Sequence, residues 1–530
     1  MEGVTEAGAA RAAERGAEWA SGRAAMAALG LLVLAVAADR LGIRVGGLNL
    51  RVEMLVAGLI VLWALLRSRG EALEGWGLVE WALAGWVVVN ALSSVLFSPD
   101  TMVSLKNTAV VAGLFIVYLA AQMLLRSRGM LVWAAVAWVA VGASVGLLGV
   151  LSSVWYDLAG PNPGVLLERF YRDGVFIVTP KVQSSMWEPN LFGSYSLTVL
   201  ALAFALSLAP EFRDGAWRWL FAVAGALAAA GAMLSMTRTV WAVAPVLVLL
   251  AGFAALRLRL ANPRQVALAL LAPALVGGAL GLGLGLSMEA PSWRMGEPWS
   301  LTDRQVDDMV REYMFGAEQS EPAPSPSPAG QAAPTAAPAT APPSTSVPAT
   351  ALPSTSVPST SVPSTSVPAT PVPAGIGSAV GDRLGEVLND GEVGSLEGRA
   401  AIYARAFEGW LQRPLLGWGA GAYPLVYPAP PGGGDWIANA ELHALFDTGI
   451  VGLLLLAGAI GYAVVGAVRA LRVPASEWGA GRYAAFGLLV AGVGLLLAYQ
   501  LTDGTWLGFT WVLVAMMAAA GRYLPGRREA

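Results

Sequence analysis

The residues best suited to chemistry in this chain lie in one block, residues 396–423. The pattern predicts an amphipathic helix of about 14 residues that begins near Arg399 and is stopped by Pro414. Arg399 at the helix start is suited to bind a phosphate, because a guanidinium stays charged and can make paired hydrogen bonds. The turn that follows has glycine at every second position, so backbone amides could approach a ligand closely there: Gly417, Gly419 and Gly421.

Composition narrows the chemistry further. The chain has 530 residues, no cysteine, a single histidine and a formal net charge of -3. These counts exclude disulfides, thiolate metal sites, a cysteine nucleophile and any multi-histidine metal centre, and they do not favour nucleic-acid binding. We therefore expect no metal and no cofactor, and chemistry that uses arginine, carboxylates, amides, hydroxyl groups or the one histidine.

The elements that must position these residues are membrane helices. Hydrophobic residues make up 56% of the chain and charged residues 13%, against about 25% charged residues in soluble proteins. A membrane span needs about 20 apolar residues. The sequence predicts an all-α polytopic membrane protein with about 12 transmembrane helices, near residues 24–38, 53–66, 77–97, 107–125, 130–151, 190–208, 216–235, 239–256, 265–287, 448–468, 483–501 and 505–521.

Arginine collects in every second connection between these spans, as is typical of cytoplasmic loops. Both termini are therefore expected in the cytoplasm, with one large extracytoplasmic loop between helices 9 and 10. The first apolar run lacks a small-residue cleavage site after it, so it is expected to be retained. The predicted organisation is a cytoplasmic tail (1–22), helices 1–9 (23–287), the large loop (288–447), helices 10–12 (448–521) and a second cytoplasmic tail (522–530).

Within the large loop, residues 320–374 are rich in Pro, Ser, Thr and Ala, and from Ser344 they repeat as Ser-Thr-Ser-Val-Pro. Frequent proline forbids helix and the stretch lacks large apolar groups, so we expect a disordered tether. Its hydroxyls could accept O-linked sugars, or the repeat could be a passive expansion in a tolerant loop.

Four motifs follow one another along the chain. The first two are Glu188-Pro189-Asn190-Leu191-Phe192-Gly193 and Ser235-Met236-Thr237-Arg238. The third is the 396–423 block, with Gly398-Arg399, Tyr403, Ala406 and Pro414-Leu415-Leu416-Gly417-X-Gly419-X-Gly421-X-Tyr423. The fourth is Asp447-Thr448-Gly449-Ile450-Val451-Gly452, before a Leu-rich helix. These motifs resemble those of the O-antigen ligase and Wzy polymerase family, and they occur in the family's order.

The resemblance implies a metal-independent glycosyltransferase on the outer face of the cytoplasmic membrane. Its donor would be a saccharide linked to undecaprenyl diphosphate, and its acceptor a glycan, lipid or protein. Arg238 and Arg399 lie on the same outer side in the predicted topology and would hold the diphosphate, for which fixed positive charge is suited. Gly417, Gly419, Gly421, Tyr423 and Asn190 would be motif residues, whereas Arg405 and Arg413 are expected to face solvent.

The chain departs from the family at one position. The family has a His-Asn pair about ten residues before its Thr-Gly pair. At the position of that His-Asn pair, this chain has Ala438-Asn439. The single histidine, His443, lies five positions further, which on a helix is a rotation of about 140°. The resemblance implies that the family's histidine activates the acceptor hydroxyl. Glu441 lies within about 60° of position 438, so it is the predicted general base in place of that histidine. Alternatively, loss of the lipid diphosphate dominates the reaction and no strong base is needed.

Asn439, His443 and Asp447 share a second helix face, with a spacing that permits a hydrogen bond between the histidine and the aspartate. This stripe is either part of the catalytic site or a structural polar seam.

Other functions remain open at this level. A ligase and a polymerase use the same donor chemistry. A transporter is an alternative, because proteins once proposed as bicarbonate carriers also resemble this family. Transporters usually carry ionisable groups in mid-membrane and paired inverted repeats. Here Glu80 and Lys106 lie near helix ends, and the two halves of the chain do not resemble each other. A third reading, a membrane scaffold with a glycosylated stalk, would make the arginine pair incidental.

Overall fold

The computed structural model describes residues 22–45, 48–68, 76–159, 162–172, 175–288, 396–428, 436–474, 476 and 479–523. The predicted tether at 320–374 lies outside these residues, as do nearly all of the two predicted tails. Those assignments stay predictions. The described residues belong to one compact unit.

This unit is mainly helical. The helices are α1 (Arg23–Ala37), α2 (Val52–Ser68), α3 (Leu78–Phe97), α4 (Thr101–Leu124), α5 (Arg128–Ala159), α6 (Pro189–Ser207), α7 (Ala216–Leu234), α8 (Arg238–Arg257), α9 (Pro263–Ser287), α10 (Leu396–Gln412), α11 (Tyr423–Val426), α12 (Ala440–Leu471), α13 (Ala480–Ala498) and α14 (Gly508–Arg522). A 3-10 turn, Pro210–Phe212, precedes α7.

Each of the twelve predicted spans coincides with one of these helices. Nine helices in the described part of the chain are long and apolar enough to cross a membrane, namely α3 to α9, α12 and α13. The protein is therefore a multi-pass membrane protein. Helices α1 and α14 are apolar but shorter, and α2 has 17 residues, so the total of twelve spans stays a prediction, as do the orientation and the loop topology.

Two antiparallel hairpins, which the sequence reading missed, interrupt the helical pattern. Strand β1 (Gly42–Val45) pairs with β2 (Leu48–Arg51), and β3 (Val165–Arg172) pairs with β4 (Val175–Val182). Both connect consecutive helices. Their β-branched and aromatic residues favour strands, and in the hairpins their backbone groups are paired without help from a helix.

The centre of the bundle is helix α6, in which 89% of the most apolar window is buried by protein, against 28% in α9 and α12. Large side chains of neighbouring helices fill the space around it, for example Trp138 of α5 and Phe509 of α14, whose rings lie 5.4 and 5.5 Å from that of Tyr195. The three rings are fully or almost fully buried. The core thus fixes α6 firmly, while the outer helices present apolar faces outward.

Several connections converge at one end of the bundle. They are the end of α3, the 413–428 segment, the residues before α12, the α13–α14 loop (499–507) and the β1–β2 hairpin. Long-range hydrogen bonds join them, including Ser93 Oγ to Asp447 O (3.0 Å) and Asn439 Nδ2 to Gln500 O (3.3 Å). The predicted site residues Arg399, Asn439, Glu441 and His443 are all at this end.

Candidate functional site

Helix α10 presents Arg399 and Tyr403 to the α13–α14 loop. The guanidinium of Arg399 donates a hydrogen bond to the carbonyl of Leu501. The Tyr403 hydroxyl lies 2.7 Å from the carbonyl oxygen of Ala438 and 3.0 Å from that of Gln500. Burial raises the pKa of Tyr403 above its usual value, although the charge of Arg399 opposes this. Tyr403 therefore stays protonated and acts as a donor.

The start of α12 meets the same loop. Asn439 caps the helix by accepting a 2.8 Å bond from the Leu442 amide, a usual role for asparagine. Its side-chain amide also donates to the Gln500 carbonyl at 3.3 Å. Gln500 Nε2 donates to Glu441 Oε1 at 2.9 Å, while Glu441 Oε2 has no hydrogen-bond partner among the described residues.

The structure thus gathers several predicted residues around a single loop residue, Gln500. Its hydrogen bonds to Tyr403, Asn439 and Glu441 lie in an exposed part of the molecule. We call this group the Gln500 surface; it consists of Arg399, Tyr403, Asn439, Glu441 and Gln500. Such a mixture of one cation, one carboxylate and several amide and hydroxyl groups can contact both a phosphate and sugar hydroxyls.

His443 lies apart from this surface, on the neighbouring helix face. Its side chain is almost fully buried. Nε2 lies 3.2 Å from Asp447 Oδ2, and Nδ1 pairs with Asp503 Oδ2. Both ring nitrogens therefore face carboxylates, which is satisfied when both carry protons. The contact between His443 and Asp447 that the helix spacing permits is present, and Asp503 is a second partner that the sequence did not predict.

Two tryptophans and a threonine surround this histidine and its carboxylates. We call the group the histidine cluster; it consists of His443, Asp447, Asp503, Trp436, Thr505 and Trp506. The Trp436 ring lies edge-on to the imidazole at 4.5 Å, and the Trp506 ring lies 5.5 Å away. Thr505 donates two bonds to Asp503 Oδ1, from its amide (2.9 Å) and its hydroxyl (2.6 Å). Burial alone would raise the pKa of Asp503, but the imidazole of His443 and the bonds from Thr505 hold this pKa below its usual value. Asp503 is accordingly an ionised partner.

A small cavity borders the histidine cluster, with room for about one water molecule. Its lining includes Trp86, Asn90, His443, Asp447 and Thr505. A sugar does not fit in such a space. This cavity therefore offers no saccharide site by itself.

The glycine turn has a different use from the one expected. Its amides bond to the protein and do not point to a ligand: Trp418 N donates to Phe446 O (3.0 Å), Gly419 N to Asp447 O (2.9 Å), Ala420 N to Ser94 Oγ (3.1 Å) and Gly421 N to Asp447 Oδ2 (2.7 Å). Gly417, Gly419 and Gly421 all have positive φ, and a Cβ on Gly417 would lie 2.4 Å from Phe446 O. The glycine turn therefore holds the N-terminal part of α12 in place through hydrogen bonds to Phe446 and Asp447.

Tyr423, the last residue of that motif, is also structural. It is buried against Phe446, with ring centroids 5.4 Å apart. Arg405 is exposed, as expected. The expectation for Arg413 is wrong: its guanidinium lies 3.9 Å from the centroid of the Trp418 ring and donates to the carbonyl of Phe97. Phe97 and Arg413 are far apart in sequence, and only the fold brings them together.

Arg238 and Asn190 lie at the starts of two other helices, α8 and α6. Arg238 is the first residue of α8, directly after a tight turn in which Met236 has φ 49°. Asn190 lies in the first turn of α6. Gly193 of α6 faces the same turn, since a Cβ there would lie 2.7 Å from Ser235 Oγ. The structure therefore packs these two motifs together, while a shared role for Arg238 and Arg399 stays a prediction.

The residues that sequence reasoning missed are in the α13–α14 loop, chiefly Gln500, Asp503 and Trp506. The available signal was the polar run Gln500-Leu501-Thr502-Asp503-Gly504-Thr505 between two apolar helices. A membrane protein can expose functional groups in such a run. None of the four motifs includes these residues, so they were not predicted as site residues.

Comparison with known proteins gives one family match. Residues 221–457 match the model of a family described as O-Antigen ligase. The match includes Arg238, Arg399, Glu441 and His443 but ends before Gln500 and Asp503. No curated protein matches the chain.

Proposed function

Because residues 221–457 match the model of the family described as O-Antigen ligase, we propose that this chain is a membrane glycosyltransferase of that family. It transfers a saccharide from an undecaprenyl-diphosphate donor to a glycan, lipid or protein acceptor. The reaction takes place on the outer face of the cytoplasmic membrane and needs no metal. The family match over residues 221–457 and the multi-pass helical architecture support the proposal, and the donor, acceptor and sidedness are part of what we propose.

The observation that carries the proposal is the meeting of Arg399 and Glu441 on the Gln500 surface. Arg399 bonds to Leu501, and Glu441 bonds to the adjacent Gln500. A glycosyl transfer requires two things of the protein: it must stabilise the leaving diphosphate, and it must remove a proton from the acceptor hydroxyl. A guanidinium suits the first and a carboxylate the second, and here both contact adjacent residues of one short loop.

In the proposed reaction the acceptor hydroxyl oxygen attacks the anomeric carbon of the donor sugar. The bond between that carbon and the diphosphate oxygen breaks, and undecaprenyl diphosphate leaves with the electron pair. Arg399 stabilises the charge that develops on this leaving group, with Arg238 as the proposed second cation. The proton of the acceptor hydroxyl passes to Glu441.

Glu441 suits the role of base better than His443. Its Oε2 is enclosed by protein and has no hydrogen-bond partner within the described residues, so this oxygen keeps an unused acceptor site, and the residue as a whole is only partly buried. Both nitrogens of His443 face carboxylates, and the side chain is almost fully buried. We therefore propose that His443 holds the site in shape and that Glu441 takes the proton.

The experiment is donor turnover by the purified chain in lipid nanodiscs, with an undecaprenyl-diphosphate oligosaccharide and an acceptor glycan. Release of the lipid diphosphate without added metal is the expected result. Arg399→Met should lower the rate about 100-fold or more, because a fixed charge on the leaving group is lost. Arg405→Met is the matched control, since it removes an exposed arginine from the same helix and should leave the rate unchanged.

Two other outcomes would overturn the proposal. Equal turnover by Arg399→Met and the wild type would separate the arginine from the reaction. Ion flux without any donor turnover would favour a transporter. Analysis of the product distinguishes the remaining alternative, because a Wzy-type polymerase extends the donor glycan in repeat units whereas a ligase transfers it once to a different acceptor.

A further inference from the structure

We infer that Arg51 is a positioning residue for the candidate site: it holds the backbone carbonyl of Trp506 and thereby keeps His443 in its buried pair with Asp503. This inference deepens the proposed function and rests on it for its effect on turnover. Arg51 lies more than 450 positions before Trp506 in the sequence, and neither belongs to the family motifs.

The first link is the contact from Arg51 to the α13–α14 loop. Nη1 donates to Trp506 O at 2.6 Å and to Asp39 Oδ1 at 3.0 Å. Glu53 Oε1 lies 3.7 Å from the same nitrogen. Both carboxylates are almost fully buried, and the Arg51 side chain is only 16% exposed. A charge-assisted bond in such surroundings is stronger than one between neutral groups.

The second link is the contact from Trp506 to His443. The indole Nε1 lies 3.3 Å from His443 Nδ1, and the two rings lie 5.5 Å apart. Because Nδ1 faces Asp503, a protonated Nδ1 cannot also accept from the indole, and we treat this contact as packing. The Trp506 ring therefore covers the nitrogen that pairs with Asp503.

The same loop is anchored from its other side. Trp511 Nε1 donates to Thr505 O at 2.7 Å, and Thr505 in turn donates to Asp503. With Thr505 held from α14 and Trp506 from β2, the pair of His443 and Asp503 is fixed by two distant elements. Removal of Arg51 should release the Trp506 side of this arrangement first.

The single histidine of the chain makes the inference directly measurable. Diethyl pyrocarbonate acylates accessible imidazole nitrogens, and mass spectrometry of the full-length protein, purified without a histidine tag, reports on His443 alone. In the wild type the reaction should be slow, because His443 is buried and paired. Arg51→Met should raise the rate about tenfold or more, the factor equal to about 1.4 kcal/mol. Arg51→Lys should restore most of the protection, since an ammonium group can also donate to Asp39 and Trp506.

The matched control is Gln122→Leu. Gln122 Nε2 donates to Ala515 O at 2.6 Å, so this variant also loses a buried side-chain bond to the last part of the chain, but away from His443. Its acylation rate should equal that of the wild type. Asp39→Asn/Arg51→Met avoids leaving the Asp39 carboxylate without its cation and should show the same increase as Arg51→Met if the Trp506 contact is the cause.

The outcomes separate the inference from the proposed function. An unchanged acylation rate in Arg51→Met, or an equal increase in Gln122→Leu, would overturn the positioning role whether or not the chain turns over donor. Turnover should also fall in Arg51→Met and recover in Arg51→Lys. If the wild type does not turn over donor, the proposed function fails, while the acylation rates still decide the role of Arg51.

Discussion

Replacing Gly449 with alanine should destabilise the chain strongly. This glycine forms a kink within α12, with φ 63° and ψ -167°. The kink lets Ile450 N donate to Pro414 O at 2.9 Å, which joins α12 to the segment before the glycine turn. The orientation of Asn439, Glu441 and His443 depends on this join, because all three lie before the kink.

The expected cost follows from two effects at the same position. A side chain at this φ and ψ, a region that is essentially confined to glycine, costs about 1–3 kcal/mol. The new Cβ would also lie 2.3 Å from the carbonyl carbon of Leu415, and overpacking against a fixed group costs about 1–3 kcal/mol. Backbone cannot move aside as a flexible side chain can. The total is about 2–6 kcal/mol of lost stability.

Thermal unfolding in detergent, followed by intrinsic tryptophan fluorescence at one heating rate, measures the effect. Gly458→Ala is the control from the same helix, because a Cβ there meets nothing within 4 Å. It should be neutral or stabilise by about 0.5–1 kcal/mol, as alanine is the better helix former. A melting midpoint of Gly449→Ala at or above that of the wild type would refute the reasoning.

Two further predictions concern charge. The pKa of Asp503 is lower in the folded protein than in the unfolded chain. Its stabilising effect is therefore fully present above the unfolded pKa of about 4 and is lost as the pH falls through the folded pKa. The wild-type melting midpoint should drop on acidification below about pH 4. Asp503→Asn should cost about 3–5 kcal/mol at neutral pH, because it breaks a buried pair with His443, and should flatten this acid dependence; an unchanged acid profile would contradict the pairing. Arg413→Met should lose about 1–2 kcal/mol of stability through the contact with Trp418, whereas Arg405→Met should stay within about 0.5 kcal/mol of the wild type, and equal midpoints for these two variants would show that the stacked arginine adds nothing.

The helices of the fold could be predicted from the sequence because long apolar blocks have one stable solution in lipid. The spacing of His443 and Asp447 also indicated that these two side chains could meet, since residues four apart on a helix lie on the same face. Local patterns of this kind carry their own geometry. The two hairpins were not predicted, because their short strands lie in the connections between apolar helices, where no long pattern marks them.

The candidate site could be predicted only on its α12 side. Glu441 and Asn439 followed from the helix face, but their partner Gln500 is about 60 residues away, and no sequence period reports such a distance. The glycine turn was recognised as a turn, yet what its amides contact depends on α12 and on Ser94 of α3. Contacts between residues of different helices and loops depend on how these elements pack, and a single sequence does not show this packing.

The most direct test of the account is the turnover rate of Glu441→Gln with a saturating undecaprenyl-diphosphate saccharide, beside donor affinity from a binding assay. Glutamine keeps the size of the side chain and can still contact Gln500, but it cannot take a proton. We predict a rate about 100-fold or more below the wild type with donor affinity unchanged, and a smaller loss in His443→Ala once its fraction of folded protein is taken into account. Full activity in Glu441→Gln, or a loss confined to His443→Ala, would contradict the role of the Gln500 surface.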